Sequence, residues 1–161
     1  MLEKNWNDLI TPSNVVIAAK SGDIKGTVVA EPIERGYGLT IGNSLRRVLL
    51  SSLQGAAVTA IQIENVLHEF SSIPGVREDV VDLILNIKNI SVKSHIDGIS
   101  KVSLNAKGPC DVTAGMIQSN ANVEIKNPEL IICHLDKDSE LNIDFTINTG
   151  RGYAPAAENK P

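Results

Sequence analysis

Few side chains in this sequence could carry chemistry, and most of them lack the company chemistry needs. Gly36, Gly38 and Gly42 lie in the run Gly36-Tyr37-Gly38-Leu39-Thr40-Ile41-Gly42, close to the spacing of glycine loops that cradle dinucleotide phosphates. The third glycine falls one residue late, because Ile41 stands where it should be. No acidic residue ends a strand about twenty positions on, and no phosphate-loop lysine is present. His68, His95 and His134 are scattered. His68-Glu69 lacks the second histidine of a helical zinc pair, and Cys133 and His134, adjacent in an expected strand, point to opposite faces. Cys110 has no second cysteine at metal-ligand spacing, Ser51-Ser52 and Ser71-Ser72 lack a nucleophile elbow, and Glu78 and Asp82 read as a solvated helix face. No catalytic residue, metal or cofactor is expected. Arg46-Arg47 stands out, on a helix whose other faces are apolar. The guanidinium fork suits bidentate pairing with carboxylates across an interface, although an ordinary solvated pair is the plainer reading of two arginines.

The elements that must position these residues follow from periodicity. Residues 1–25 read as irregular, with Pro12 and a Lys20-Ser21-Gly22-Asp23 turn. Gly26–Glu31 reads as a strand from its β-branched Thr27, Val28 and Val29, and Pro32 ends it. Thr40 can cap a helix along which Ile41, Leu45, Val48, Leu49 and Leu53 share a face, with Gly55 as its stop. Thr59, Ile61 and Ile63 alternate as a strand, with Val66–Phe70 a candidate partner. Pro74-Gly75 opens a second helix whose face holds Val76, Val80, Leu83, Ile84 and Ile87. Glu78 and Asp79 lie in its first turn and Lys88 near its end, as the helix dipole favours. Alternating runs at Ile90–Ile96, Lys101–Ala106 and Leu141–Ile147, and shorter ones at Val123–Ile125 and Leu130–Leu135, complete a strand-rich remainder.

Composition narrows the function. The chain has 161 residues with 15 basic and 19 acidic side chains, a formal charge of −4. A pI near 5.3 excludes a general electrostatic grip on DNA, which needs surplus Lys and Arg to displace counterions. Aromatic residues make up only 3%, so the core must be built from Ile, Val, Leu and Ala. Two cysteines cannot make a disulfide scaffold, and no apolar run is long enough to span a bilayer. The expectation is a cytoplasmic protein with no membrane contact.

The run from Glu31 through Ser52 (EPIERGYGLTIGNSLRRVLLSS) closely resembles the signature of the N-terminal domain of the bacterial RNA polymerase alpha subunit. The resemblance continues through Val66–Ser71, Gly75–Val80 and Ile84–Lys88. It reappears at Gly108-Pro109, Val112–Ala114, Pro128, Ile132-Cys133 and Gly150–Tyr153. Asn5-Trp6-Asn7 and the wording of Ser51–Gln62 point to an alphaproteobacterial form.

The resemblance implies an α+β fold. A partial dimerisation subdomain (a strand plus a long helix, residues 1–54) would carry an inserted strand-rich subdomain with one helix (residues 55–150). Residues 151–161 would be a frayed tail where the family's return segment begins, so the resemblance implies a C-terminally truncated chain. It implies an assembly scaffold, a non-catalytic subunit of a nucleotidyltransferase. The scaffold would dimerise with a second alpha chain and recruit the beta and beta-prime subunits, without binding promoter DNA itself. Arg47 aligns with the family arginine implicated in binding beta, with Arg46 beside it. Glu34, Arg35, Gly36, Gly38 and Asn43 shape the loop and helix start that beta approaches. Leu45, Leu49 and Leu50 would pack the subdomain or dimer core. Glu69 and Ser71 fall on the beta-facing assembly surface, and Lys88 matches a position linked to beta-prime. Ser44 departs from the commoner alanine. The alternative is a stand-alone nucleotide- or phosphate-binding enzyme built on the Gly36–Gly42 loop.

Overall fold

A computed structural model of the chain describes residues 8–20 and 25–159. Asn5-Trp6-Asn7 and the Ser21-Gly22-Asp23 part of the expected turn lie outside the described residues. The chain divides into two compact units, Met1–Leu50 and Ser51–Pro161.

The first unit holds a β-hairpin and a helix. Strand β1 (Asn14–Ala18) pairs antiparallel with β2 (Thr27–Glu31), from Asn14 opposite Glu31 to Ala18 opposite Thr27. The expectation that residues 1–25 are irregular is therefore corrected. Val15, Val16, Ile17 and Ala18 form a continuous apolar run rather than an alternation, and such a run is too short to be read by period. Helix α1 (Tyr37–Ser51) begins ahead of Thr40. Gly36 takes φ +88°, open to glycine but costly to other residues, and the Tyr37 amide donates to the Glu34 carbonyl at 3.0 Å. The helix ends at Ser51, before Gly55, which already belongs to the next strand. No described residue of β1, β2 or α1 is buried.

The second unit is α+β around one sheet. Its strands are β3 (Gln54–Ile63), β4 (Val92–Ser94), β5 (Ser100–Lys107), β7 (Val123–Ile125) and β9 (Glu140–Arg151), in spatial order β5-β9-β3-β4-β7. β6 (Cys110–Thr113) and β8 (Ile131–Leu135) make a separate antiparallel pair. β9 pairs along its length with β5 on one side and β3 on the other. Its alternation sorts residues cleanly: Leu141, Ile143, Phe145 and Ile147 face the core, while Asn142, Asp144 and Thr146 face away. Val102, Leu104 and Ala106 of β5 join that core face. Helix α2 (Val80–Ile87) buries Val80, Leu83 and Ile87 against the same core, and Ile132, Cys133 and Leu135 of β8 close it.

Four local expectations are corrected in this unit. Val66–Phe70 is a turn-rich loop, because Asn65 at φ +62° swings the chain out of the β3 line. The edge beside β3 is taken by β9 instead. The second helix starts at Val80, not near Val76. Asp79 is its N-cap, its side chain accepting from the Asp82 amide at 2.8 Å. β6 had no counterpart among the expected strands, being only four residues behind Gly108-Pro109. In the expected frayed tail, Arg151 pairs with Gln54, and Ala156–Asn159 forms a helical turn, α3, near β3. No helix among the described residues is long and apolar enough to cross a membrane.

Candidate functional site

The first unit presents the arginine helix. By helical periodicity, Tyr37, Ile41, Leu45, Val48 and Leu49 share one arc of α1, Thr40, Asn43 and Arg47 share the other side, and Ser44 lies at the border beside Tyr37. Arg46 falls between them, flanked by Leu39, Leu49 and Leu50. None of the apolar side chains is buried: Leu39 is 76% exposed, Leu49 and Leu50 are each 61% exposed, and Tyr37 and Ile41 are the most covered at 38%. Arg46 and Arg47 are exposed as well. Glu34 anchors the helix start. Its carboxylate accepts from the Ile10 amide at 3.3 Å, while its carbonyl caps Tyr37. Arg35 and Gly36 are exposed in the turn beside it.

The glycine motif does not form a phosphate loop. Gly36 alone lies in the turn, while Gly38 and Gly42 are inside α1. Gly42 lies past the first turn, where the amide is bonded to the carbonyl four residues back, so the three glycine amides do not converge on one anion.

The second unit brings Glu69 and Ser71 together but leaves Lys88 apart. Ser71 Oγ donates to the His68 carbonyl at 2.7 Å, closing the loop, and the Ser71 carbonyl accepts from the Val80 amide at 3.3 Å. Glu69 lines a shallow groove of about 260 Å³ with Ile61, Val66, Val80 and Ile84. Leu67 and Phe70 on the same loop are 97% and 81% exposed. Lys88 caps the other end of α2, its amide donating to the Ile84 carbonyl at 3.0 Å. An eight-residue helix separates the two ends by about 12 Å. Val81, Leu85 and Lys88 share the outward face of α2, so the lysine is flanked by exposed apolar side chains.

A cluster not anticipated from sequence sits behind this surface. The segment before α2 runs beside β8: Val76 bridges Leu135, the Arg77 amide donates to the His134 carbonyl at 3.1 Å, and the Asp136 amide donates to the Gly75 carbonyl at 2.8 Å. The Glu78 carboxylate accepts from both the His134 amide (2.8 Å) and the His134 ring at Nδ1 (2.5 Å), and His134 Nε2 stands 3.7 Å from Asp111 of β6. Partial burial pushes the Glu78 carboxyl up, but the His134 amide and ring outweigh it and hold it below the usual carboxylate range. Helical charge placement had put Glu78 in the first turn of α2, where it would have faced solvent. No local signal links positions 78 and 134. Among the described residues, no group of three or more His, Cys, Asp or Glu side chains is placed to hold a metal ion.

Residues 61–161 match the model of the RNA polymerase Rpb3/RpoA insert domain. The chain belongs to this family. An Rpb3/RpoA insert domain makes it an alpha-type subunit of DNA-directed RNA polymerase, part of a nucleotidyltransferase complex and of transcription, in association with other polymerase subunits. The insert domain thus spans the last three residues of β3 (Ile61–Ile63), the Val66–Ser72 loop, α2 and the whole β5–β9 core, with Glu69, Ser71, Glu78, Lys88 and His134 inside it.

Proposed function

We propose that this chain is the assembly scaffold of a bacterial, cytoplasmic RNA polymerase. The first unit pairs with a second copy of the chain through the apolar arc of α1 and the hairpin, with Leu45 and Leu49 on that arc and Leu50 at its border beside Arg46. Arg46 and Arg47, with the Glu34–Asn43 stretch, receive the beta subunit by charge-assisted hydrogen bonds to carboxylates or carbonyls. Glu69 and Ser71 extend that surface, and Lys88 meets beta-prime. The chain contributes no catalytic group, and it takes no cofactor.

The observation that carries this reading is the lack of any buried residue in β1, β2 and α1. A hairpin of Val15, Val16, Ile17, Val28 and Val29 beside a leucine-rich helix is far more exposed apolar surface than an isolated unit tolerates, and such surface marks an interface. Arg47 on the polar arc of the same helix supplies the directional contact that an apolar interface lacks.

The test is co-purification of the beta subunit with Arg47→Ala. Loss of beta with an unchanged circular dichroism spectrum and melting curve is expected. Normal capture by the variant overturns the reading. The nucleotide-binding alternative has no supporting observation in the geometry of α1.

A further inference from the structure

We propose that Glu78 and His134 are positioning residues that fix the Val66–Ser72 loop for a protein partner, an inference that rests on the assembly reading above. The loop has little to hold it. Leu67 and Phe70 project almost wholly into solvent, and within the loop the Ser71 hydroxyl closes onto the His68 carbonyl. Two contacts fasten its end, and both lead to the start of α2: the bridge between Ser72 and Asp79, and the Val80 amide on the Ser71 carbonyl. The first end of the loop is held to β3 by the Val66 amide on the Ile63 carbonyl, so it is the Ser71–Ser72 end that is placed no better than residues 79–80 are.

Those residues are placed by the latch beside them. Asp79 and Val80 directly follow Glu78, whose two carboxylate oxygens both close on His134, one on the amide and one on the ring. His134 is the penultimate residue of β8, whose Ile132, Cys133 and Leu135 are buried. Asp111 approaches the far ring nitrogen from β6, so the imidazole is oriented from both sides. A rigid strand thus holds a histidine, the histidine holds a carboxylate, and the carboxylate sets the residues to which the docking loop is tied. Charge-assisted bonds in a partly dry setting hold direction better than exposed ion pairs do. The Asn86 side chain, donating to the Ile132 carbonyl at 2.9 Å, keeps the rest of α2 on β8 independently of the latch. Removing the ring half of the latch, with the backbone amide at 134 still on the other carboxylate oxygen, should therefore loosen the loop without detaching the helix.

The experiment compares His134→Ala and His134→Asn by amide hydrogen exchange and by affinity for the purified beta subunit. The asparagine amide can stand near the Nδ1 position and keep a donor to Glu78. In His134→Ala the Arg77 and Val80 amides are expected to exchange about tenfold faster, and beta affinity to fall by about the same factor. The Ile143 and Phe145 amides should be unchanged in that variant. His134→Asn is expected to recover most of both losses. Unchanged exchange at Val80, uniform loosening of every amide, or faster loop exchange with undiminished beta affinity would each overturn the proposal. A wild-type chain that captures no beta overturns the assembly reading, and the docking role falls with it. Wild-type capture with an indifferent His134→Ala overturns the positioning role alone.

Discussion

Gly108 lies so close to Asp136 that a β-carbon on the glycine would stand 1.9 Å from the aspartate carbonyl oxygen. The same β-carbon would meet Ser139 Oγ at 2.8 Å, and the Gly108 amide already donates to the Ser139 carbonyl at 2.8 Å. Backbone blocks it on one side and a bonded turn on the other, so nothing cheap can move aside. Gly108→Ala is expected to cost about 1–3 kcal/mol in urea unfolding, as overpacked sites do. Gly150, with open space where its β-carbon would be, is the matched control. Gly150→Ala should leave stability within about 1 kcal/mol of the parent. Equal effects at the two sites would contradict the packing argument.

The core makes a second prediction at Leu83. This side chain is fully buried and is the largest that α2 contributes to the core. Leu83→Ala removes that contact and leaves a cavity, for an expected loss of about 2–5 kcal/mol by denaturant titration. Leu85→Ala, on the outward face and half exposed, should change stability by less than about 1 kcal/mol.

Asp79 provides a third. Its carboxylate satisfies the Asp82 amide at the start of α2, so Asp79→Ala is expected to cost about 1 kcal/mol and Asp79→Ser less. A thermal melt of both variants decides it. Equal loss in the two would assign the effect to charge rather than to capping.

The acid limb of stability should carry the mark of Glu78. Its folded carboxyl is held below the ordinary range by the His134 amide and ring, which outweigh the opposing effect of burial. The unfolded chain therefore binds more protons through the acid range, and stability rises with pH there. The contribution is complete above the ordinary carboxylate value and drains away as pH falls through the lowered one. Glu78→Gln should cost about 1–2 kcal/mol at neutral pH and flatten the acid limb of a stability–pH curve. An unchanged slope would show that the pair contributes nothing through its charge.

The two cysteines should differ chemically. Burial, with the Glu78 charge behind it, pushes the Cys133 thiol up to about 12, whereas Cys110 is only half-buried. Thiolate is the reactive form. Alkylation of the native protein is expected to label Cys110 and spare Cys133, as read by peptide mass spectrometry. Labelling of both at equal rates would mean that the Cys133 thiol in β8 becomes as accessible as Cys110 at the start of β6.

What could be read from sequence was what has a short period. Lys101–Ala106 and Leu141–Ile147 alternate because one face of each strand is dry, and both runs lie inside observed strands. Ile41 through Leu49 repeats because a helix brings every third or fourth residue to one side. β1 escaped because Val15–Ile17 is apolar on both faces, and Val66–Phe70 was misread because one left-handed residue, Asn65, undoes an apolar run. The start of α2 slipped because Val76 belongs to an apolar pattern set by β8 rather than by a helix. The arginine pair and its apolar helix were visible because they are local. The bond between Glu78 and His134 was not, since nothing near either residue announces a partner so distant along the chain.

The order of strands in the large sheet also sets a timetable. β3 is made early, yet the strand that pairs along its whole length is β9, from Ile63 opposite Ile143 to Gln54 opposite Arg151. On its other side β4 meets it at a single residue pair, Ala56 with Val92. At roughly 5–20 residues per second on the ribosome, β3 waits several seconds with its edge and its apolar side chains uncovered. During synthesis the nascent chain thus offers chaperones, or a neighbouring copy, a ready strand. The sheet that anchors the insert domain is the last part of it to close.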